Sequence, residues 1–519
     1  MLNKKFIAAA SVAALCAMQP VSALAAAAPD GKTIASETAA AANGKYAEWE
    51  AKWAKLSEDW TQVSLSPGAD ETKLNLAWYS KKGTEEVIRF GTKADLKNAK
   101  TITPTKTDAQ EGYVSNKATL ENLKPNTTYY YQVGDREIAS FRTQDKNAFR
   151  FIFVGDPQIG SSNEMKAKKP EDIAKPDFKT AQYEAVESDA FNWNHTLEMA
   201  MKNEGKTPSL IVSAGDQIQT NAKKVKNNTI SEIEYAGYLS PELLKSLPVA
   251  TTVGNHDADN ANYTWHFNTP NASELGSNDI VGGDYYFRHG KTLFLMLNTQ
   301  DTDPAEHQAF IEKTVQENKD CTWKIVTLHQ DIYGSAEHSN EPEITNLRYA
   351  LVPAFEANDI DVVLSGHDHA YSRSYVMDGG VKTTDYTDDA FEAQLEKDLD
   401  NGDSESPLTV APMNISNDTT DPEERAYIDY LNEVMDKAAV KDTNTTVKHA
   451  DGIVYVTAGS ASGSKYYDLT PRKQSYVANR WQEDVPTYSL IDVDGNTLTV
   501  NTYRADTNEK IDAALTIQK

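Results

Sequence analysis

Between residues 151 and 369, five apolar strands each end on a side chain that can bind a metal ion. The stretches are FIFVGD, SLIVSAGD, VATTVGN, KIVTLH and DVVLSGHDH, and they deliver Asp156, Asp216, Asn255, His329 and the pair His367 and His369. Four of these endings carry a glycine directly before the polar residue, which lets the backbone turn sharply towards a shared point. Ligands of open α/β sheets bind at the carboxyl ends of strands. Because a chance alignment at every strand end is improbable, the series predicts a shared metal site.

The spacing of the strands predicts the fold class. From residue 147 onwards, apolar strands alternate with longer helical or loop stretches, which is typical of an α/β domain whose sheet is covered on both faces. From 61 to 146, short strands alternate apolar and polar residues between Gly, Pro and Asn, which predicts an all-β sandwich. We interpret the sandwich as a scaffold, because no cluster of chemically competent residues lies in it.

The N-terminus resembles an export signal. Residues 1–25 combine Lys4 and Lys5, an apolar run too short to span a membrane, and a small-residue site that predicts cleavage after Ala25. No later run is long enough for a membrane helix. Residues 26–60 are interpreted as a linker followed by an amphipathic helix, which packs against the next domain or, alternatively, binds a partner. Cys321 is the only cysteine after the predicted cleavage site, so we expect a structural thiol and no internal disulfide.

The charge of the chain limits its partners. The net charge of -26 argues against nucleic acid or an anionic membrane as a partner, although bound metal ions can still create a local positive site. Part of that charge lies in residues 377–450, which we interpret as an acidic surface insertion with one helix at 421–439. A hairpin that turns at Asp494-Gly495 is predicted near the C-terminus.

The ligand types narrow the choice of metal. Carboxylates, an amide oxygen and imidazoles without any thiolate suit Fe, Mn, Zn or Ca. The strand ends offer too many ligands for one ion. Two ions about 3.5–4 Å apart that share one carboxylate use the ligands economically, and such a pair can clamp the attacking and leaving oxygens of a phosphoryl group.

The blocks GDPQ, GDQIQ, GNHD, VTLH and GHDH, in this order, resemble the calcineurin-like metallophosphoesterases. The likeness extends to the purple acid phosphatase branch, because GHDHAYSRS and YVTAGSASG resemble its later segments and LENLKPNTTYYYQVGD resembles a fibronectin-III corner. The resemblance implies a fibronectin-III-like domain at 61–146. It also implies a catalytic domain at 147–519 that is a four-layer α/β/β/α sandwich.

The resemblance also implies roles for single residues. The expected ligands are Asp156 and His369 for the first metal, Asp216 as the bridge, and Asn255, His329 and His367 for the second metal. His256 is expected to face the substrate together with Asn255 and to protonate the leaving oxygen, oriented by Asp257. Further candidates for substrate contact are His338, Tyr371 and Arg373, with a surface position for His338 and a salt bridge for Arg373 as the alternatives.

Two positions depart from the family pattern. Purple acid phosphatases carry a tyrosine three residues after the bridging aspartate, where this chain has Gln219. Other metallophosphoesterases carry a histidine two residues after the first aspartate, where this chain has Gln158. We therefore predict no purple colour and a preference for divalent ions, with either the carbonyl oxygen of Gln158 or a water at the first metal.

The sequence thus predicts an exported phosphoesterase that hydrolyses phosphate monoesters by attack of a metal-bound hydroxide, with a small phosphoester as its partner. A phosphodiesterase or nucleotidase using the same site is an alternative. A non-catalytic surface protein with a structural metal site is a third, against which the intact His256 argues.

Overall fold

The computed structural model describes residues 31–165, 171–219, 230–258, 261–277, 281–336, 338–339, 342–378, 420, 439–448, 452–470, 473–474 and 476–519. The predicted signal peptide, residues 421–438 of the predicted helix and most of the acidic insertion lie outside these ranges. Within them, every helix is too short or too polar to cross a bilayer.

The N-terminal domain consists of two four-stranded antiparallel sheets, ordered β1-β2-β6-β5 and β4-β3-β7-β8. Its strands are β1 (Ser64–Pro67), β2 (Lys73–Lys81), β3 (Ile88–Gly91), β4 (Lys100–Ile102), β5 (Thr105–Asp108), β6 (Tyr113–Glu121), β7 (Thr128–Val133) and β8 (Ala139–Arg142). Both sheets contribute to one hydrophobic cluster around Trp78 and Phe90. The sequence did not indicate β4 and β5, because their side chains are mostly exposed and show no apolar alternation.

The larger domain contains two seven-stranded sheets. The first is ordered β11-β10-β9-β22-β23-β24-β19, and the second β12-β13-β14-β15-β20-β16-β21. The strands are β9 (Ala148–Val154), β10 (Pro208–Ser213), β11 (Val249–Thr251), β12 (Tyr285–His289), β13 (Thr292–Met296), β14 (Trp323–Thr327), β15 (Val362–Ser365), β16 (Tyr371–Ser374), β17 (Val376–Asp378), β18 (Ala439–Asp442), β19 (Thr446–Lys448), β20 (Val454–Thr457), β21 (Val477–Trp481), β22 (Thr487–Asp494), β23 (Thr497–Arg504) and β24 (Leu515–Gln518). Strands β17 and β18 form a separate pair.

One hydrophobic cluster joins the inner faces of the two large sheets, with Phe151 and Phe153 of β9 beside Phe294 of β13 and Ile325 of β14. The helices cover the outer faces. They are α1 (Lys45–Leu56), α2 (Pro176–Lys202), α3 (Ile230–Tyr238), α4 (Asn262–His266), α5 (Pro304–Glu317) and α6 (Pro342–Ala357), with short 3₁₀ turns at Ala35–Glu37, Ala39–Ala41, Asp172–Ala174 and Glu242–Lys245. Helices α2 and α3 share a cluster with the first sheet, and α5 and α6 share one with the second.

Helix α1 packs against α2 of the larger domain. Trp49 and Trp53 lie on one face of α1 at a spacing of four, and both are buried in the cluster that contains Trp193 of α2. The indole nitrogen of Trp49 also donates a hydrogen bond to Glu187 O at 2.8 Å. The amphipathic face predicted at 45–60 is thus used inside the chain.

Polar contacts join the N-terminal domain to the segment around α4. Ser115 Oγ of β6 donates to Trp265 O at 2.8 Å, and Asn75 Nδ2 of β2 donates to Asn268 O at 2.8 Å. Tyr79 OH donates to the buried Glu232 at 3.0 Å. Because α4 closely follows Asn255 and His256 in the chain, the N-terminal domain supports a segment next to the predicted site.

Two smaller predictions are confirmed. Strands β22 and β23 form the antiparallel hairpin expected near the C-terminus, and Gly495 in its turn has a left-handed φ of 56°. Cys321 is a buried free thiol in the cluster beneath α5 and α6.

Candidate metal centre

The predicted strand ends meet at one place. In the first sheet β9, β10 and β11 run parallel, and in the second sheet β14 and β15 run parallel, so their carboxyl ends lie on the same side within each sheet. One oxygen or nitrogen from each of Asp156, Asp216 and His329 lies within 4.8 Å of the others. The structure therefore brings together residues 60 or more positions apart in sequence.

The ring of His329 lies at the centre of the expected second-metal group. His329 Nε2 is 2.9 Å from Asn255 Oδ1, 3.2 Å from His367 Nδ1 and 3.4 Å from Asp216 Oδ2. On the other side of the ring, Nδ1 is 2.9 Å from Ala214 O. Because a carbonyl oxygen can only accept, Nδ1 keeps its hydrogen and Nε2 is left to bind a metal.

The expected first-metal group is built around Asp156. His369 Nε2 lies 3.7 Å from Asp156 Oδ1, while His369 Nδ1 is 2.9 Å from Lys465 O. The carbonyl group of Lys465 again fixes the tautomer and directs Nε2 towards the carboxylate. The backbone N–H of His367 donates to both oxygens of Asp156, at 3.0 and 2.9 Å, and ties the two strand ends together.

The backbone at the site is strained. Asp156, Gln158, Asp216, His367 and His369 all have left-handed φ angles, between 35° and 70°. Each such residue costs about 1–3 kcal/mol, which the surrounding structure has to offset. Strain of this kind is common at functional sites, and here all five strained residues are predicted metal ligands.

Two glycines allow the close approach of the strand ends. A Cβ atom at Gly254 would lie 2.0 Å from Asp216 Oδ1, and one at Gly366 would lie 2.5 Å from Asp156 Oδ2. No side chain fits at such distances. Gly254 and Gly366 directly precede predicted ligands on their own strands. Their lack of a side chain leaves room for the carboxylates of Asp216 and Asp156 from other strands.

The electrostatics of the cluster suit a cation. Burial raises the pKa of Asp156 to about 8, although the nearby His329 partly offsets this effect and lowers it. Burial lowers the pKa of His369 to about 3 and also lowers that of His367. Burial would raise the pKa of Asp216 as well, but His329 and His256 lower it. A divalent ion would hold the carboxylates ionised and bind the neutral imidazoles, so these residues fit a metal.

The two glutamines that depart from the family pattern are hydrogen-bonded to each other. Gln158 Nε2 donates to Gln219 Oε1 at 2.9 Å. Gln158 Oε1 is buried and has no hydrogen-bond partner in the described ranges. An orphaned buried oxygen beside the ligand cluster is what a metal ion would satisfy. The carbonyl oxygen of Gln158, rather than its amide nitrogen, is thus the atom available to the first metal.

The cluster opens into a pocket of about 380 Å³. Gln158, Asp216, Asn255, His367 and His369 reach its wall from the metal cluster. The rest of the lining consists of His256, Thr299, Gln300, Thr302, Pro304, Gln330, His338, Leu347 and Tyr467. The pocket offers room for a small ester beside the predicted ions.

His256 is held by residues other than the predicted one. Its Nδ1 lies 2.9 Å from Gln219 O, and its backbone N–H donates to Asp216 Oδ1 at 2.8 Å. Asp257 was expected to orient His256, but its carboxylate accepts hydrogen bonds from Gln217 and from the backbone N–H of Gly254. Asp257 therefore braces the loops that carry the ligands.

Arg373 and Tyr371 are not brought to the pocket. Arg373 makes a two-pronged ion pair with Asp512, with nitrogen–oxygen distances of 2.6 and 3.1 Å, and Tyr371 OH donates to the same carboxylate at 2.8 Å. Both side chains are buried, and β16, which carries them, lies inside the second sheet. For Arg373 the structure matches the salt-bridge alternative.

His338 lines the pocket, a position that is compatible with the predicted substrate contact. Its ring centre is 4.7 Å from that of His367, and its backbone N–H donates to Asp368 at 2.8 Å. No sequence motif predicted a role for Tyr467, whose ring lies 4.5 Å from His338 and 5.2 Å from His369. Tyr467 follows the segment YVTAGSASG by a few residues, and only that proximity pointed towards it.

Comparisons with known proteins show similarity to phosphoesterases. The calcineurin-like phosphoesterase family matches residues 149–371, and the purple acid phosphatase N-terminal domain matches residues 60–149. Phosphoenolpyruvate phosphatase from Allium cepa is 24% identical over 336 residues, which are 60% of this chain and 63% of that protein. Purple acid phosphatase 23 from Arabidopsis thaliana is 23% identical over 294 residues, which are 49% of this chain and 56% of that protein.

The matched region spans less than two thirds of either of these curated relatives. Among solved structures, a purple acid phosphatase from yellow lupin (Lupinus luteus) seeds has a TM-score of 0.57 at 12% identity. The superposition covers 88% of this chain and 74% of that chain. At this identity the likeness shows a shared fold.

Proposed function

We propose that this chain, which matches the calcineurin-like phosphoesterases over residues 149–371 and the purple acid phosphatase N-terminal domain over residues 60–149, hydrolyses phosphate monoesters with two metal ions. The observation that carries the proposal is the convergence at His329 Nε2, which has Asn255 Oδ1, His367 Nδ1 and Asp216 Oδ2 within 3.4 Å. Three members of this group, Asp216, Asn255 and His367, line a pocket that His256 also lines.

The ligands divide into two groups that share Asp216. We assign Asp156, His369 and Gln158 Oε1 to the first ion, and Asn255, His329 and His367 to the second. Bound at these residues, the ions would supply an activated water and neutralise charge on the phosphoryl oxygens. The oxygen and nitrogen donors suit Fe, Mn, Zn or Ca.

His256 is our proposed donor of a proton to the leaving oxygen, because it lines the pocket beside the metal cluster. Its Nδ1 lies 2.9 Å from Gln219 O, which can only accept, so Nδ1 keeps a hydrogen. The backbone bond from His256 to Asp216 fixes this ring relative to the proposed bridging ligand. His338 and Tyr467 are the proposed contacts of the substrate's far side.

We also propose a domain architecture for the chain. The clusters on both sides of the paired sheets support a four-layer α/β/β/α catalytic domain at about 147–519, and the antiparallel sheet pair supports a fibronectin-III-like class for 61–146. We also propose export, from the signal-like composition of residues 1–25. The N-terminal sequence of secreted protein tests the predicted cleavage after Ala25.

The name of the onion relative suggests one substrate to include among small monoesters. We propose phosphoenolpyruvate as a candidate, beside the general probe p-nitrophenyl phosphate. A phosphodiesterase or nucleotidase remains the alternative on the same site, and bis-p-nitrophenyl phosphate and a nucleoside monophosphate distinguish these activities.

The test combines metal analysis with hydrolysis by the purified chain. We expect two ions per chain and faster hydrolysis of monoesters than of the bis-ester. Asp216→Ala should lose metal and activity, and His256→Ala should keep metal while kcat falls about 10²- to 10⁴-fold. His195→Gln, on α2 away from the pocket, is the control expected to keep both. Full metal loading without hydrolysis of any of these esters would contradict the proposal.

A further inference from the structure

A second cavity, of about 200 Å³, lies between the N-terminal domain and the larger domain. Lys117 of β6 lines it from the N-terminal side. From the larger domain come mainly apolar and aromatic side chains, among them Val253, Phe267, Tyr285 and Met296. The cavity therefore has a mixed wall, with an apolar part and polar groups that include the Lys117 amine.

Lys117 is the unusual member of its strand. Its neighbours on the same face of β6 are both engaged, since Ser115 Oγ donates to Trp265 O and Thr119 Oγ1 donates to Asn75 Oδ1. Lys117 is partly buried, and its ammonium group has no hydrogen bond or ion pair within the described ranges. Burial lowers the pKa of Lys117 to about 8, so the amine is still mostly charged at neutral pH.

A second polar group of the cavity is also without a partner. Thr264 of α4 lines the same space, and its hydroxyl is buried without a hydrogen-bond partner in the described part of the chain. By contrast, the hydroxyl of Tyr285 is already bonded to Thr251 O at 2.7 Å. A buried donor that lacks an acceptor costs free energy, and the Thr264 hydroxyl is such a donor in the cavity that the partly buried Lys117 also lines.

We propose that this cavity is a binding site for a small carboxylate with an apolar body, of about the size of benzoate. The carboxylate would accept hydrogen bonds from Lys117 Nζ and Thr264 Oγ1, and its apolar part would lie against Val253, Phe267 and Met296. The volume is adequate, since an apolar cavity of about 150 Å³ holds benzene. A charge-assisted hydrogen bond in an apolar setting is among the strong ones, which favours an anion over its neutral isostere.

The cavity shares a wall with the metal pocket. Thr252 and Val253 line the cavity and directly precede the Gly254-Asn255-His256 turn. Asn298 lines the cavity while its neighbour Thr299 lines the metal pocket, and Thr252 Oγ1 donates to Leu297 O at 2.6 Å between them. A ligand in the cavity would thus contact the segment that carries the proposed second-metal ligand.

Calorimetric titration of the full chain with benzoate and with its neutral isostere benzamide tests the proposal. We expect saturable benzoate binding at least tenfold tighter than benzamide binding. Lys117→Met keeps the length of the side chain and should abolish this preference. Lys124→Met removes an exposed lysine of the same domain and should leave the preference unchanged.

Benzoate bound at the metal cluster must be told apart from benzoate in the cavity. Asp216→Asn disturbs the proposed metal bridge and leaves Lys117 untouched, so the proposal predicts the same benzoate affinity in this variant. The readout is binding, and it is independent of whether the chain hydrolyses any ester. No saturable benzoate binding, or equal binding by wild type and Lys117→Met, would overturn the proposal, as would loss of binding in Asp216→Asn alone.

Discussion

Gln158 donates its side-chain amide to Gln219 Oε1 at 2.9 Å, so the two residues that depart from the family pattern are bonded to each other. The other polar atom of this side chain, Gln158 Oε1, is buried and has no hydrogen-bond partner in the described ranges. The carbonyl of Gln219 meanwhile holds His256 Nδ1. Gln219 thus links the proposed ligand of the first metal to the proposed acid.

Removing the amide of Gln219 should loosen the first metal. In Gln219→Leu, Gln158 loses the acceptor that orients it, and outer partners of this kind typically change metal affinity by about 10- to 100-fold. Competition with a chelator, followed by elemental analysis, measures the loss. Gln300→Leu, which changes a pocket residue away from this bond, is the control, and equal affinities in both variants would refute the orienting role of Gln219.

The colour of the iron-loaded protein tests the same position. Without a tyrosine at 219, we expect no tyrosinate-to-iron absorption band in the visible spectrum. Gln219→Tyr restores the residue typical of purple acid phosphatases and should gain such a band when loaded with ferric iron. A purple wild-type protein would show that another tyrosine of the chain reaches the metal.

Arg373 should matter for stability and not for substrate binding. Its ion pair with Asp512 is buried on both sides, and removing one partner of such a pair costs about 3–5 kcal/mol. Denaturant unfolding of Arg373→Met should show this loss, with KM unchanged. Lys206→Met, which breaks the surface pair with Asp494, should cost less than about 1 kcal/mol. A large rise in KM with normal stability would instead indicate that Arg373 binds the substrate.

Asp189 should make the stability of the protein fall with rising pH. Burial raises the pKa of Asp189 from 3.8 to about 7, so the folded state holds a proton that the unfolded state has lost between these values. The contribution of Asp189 is therefore lost as the pH rises from about 4 through 7. At the limit this amounts to about 4 kcal/mol.

Asp189→Asn keeps an acceptor for the backbone N–H groups of Gly160 and Ser162 but cannot ionise. Relative to wild type, the variant should gain stability between pH 5 and pH 8. Asp177→Asn on the same helix is exposed and should show no such gain. Parallel unfolding curves for wild type and Asp189→Asn across this range would contradict the prediction.

The strand ends could be predicted from the sequence because their signals are local. An apolar run, a glycine and a polar residue, as at Gly155-Asp156 or Gly366-His367, specify a buried strand and a sharp exit without knowledge of the rest. The hairpin at Asp494-Gly495 has the same local character. The order of the five sequence motifs along the chain then indicated that these strand ends form one site.

The partners of the site residues could not be predicted, because they come from distant parts of the chain. Arg373 and Asp512 are 139 positions apart, and Gln158 and Gln219 are 61 apart. Asp257 directly follows His256, which suggests that the two side chains interact, yet the carboxylate of Asp257 accepts hydrogen bonds from Gln217 and Gly254. Closeness in sequence was therefore a poor guide to contact at this tight turn, because the side chains of His256 and Asp257 have different partners.

Anomalous diffraction from crystals of the metal-loaded protein tests the central claim most directly. The account predicts two peaks about 3.5–4 Å apart with Asp216 between them. One peak should contact Asp156, His369 and Gln158 Oε1, and the other Asn255, His329 and His367. A single ion, or two ions with Gln158 Oε1 turned away and Gln219 unbonded, would contradict it.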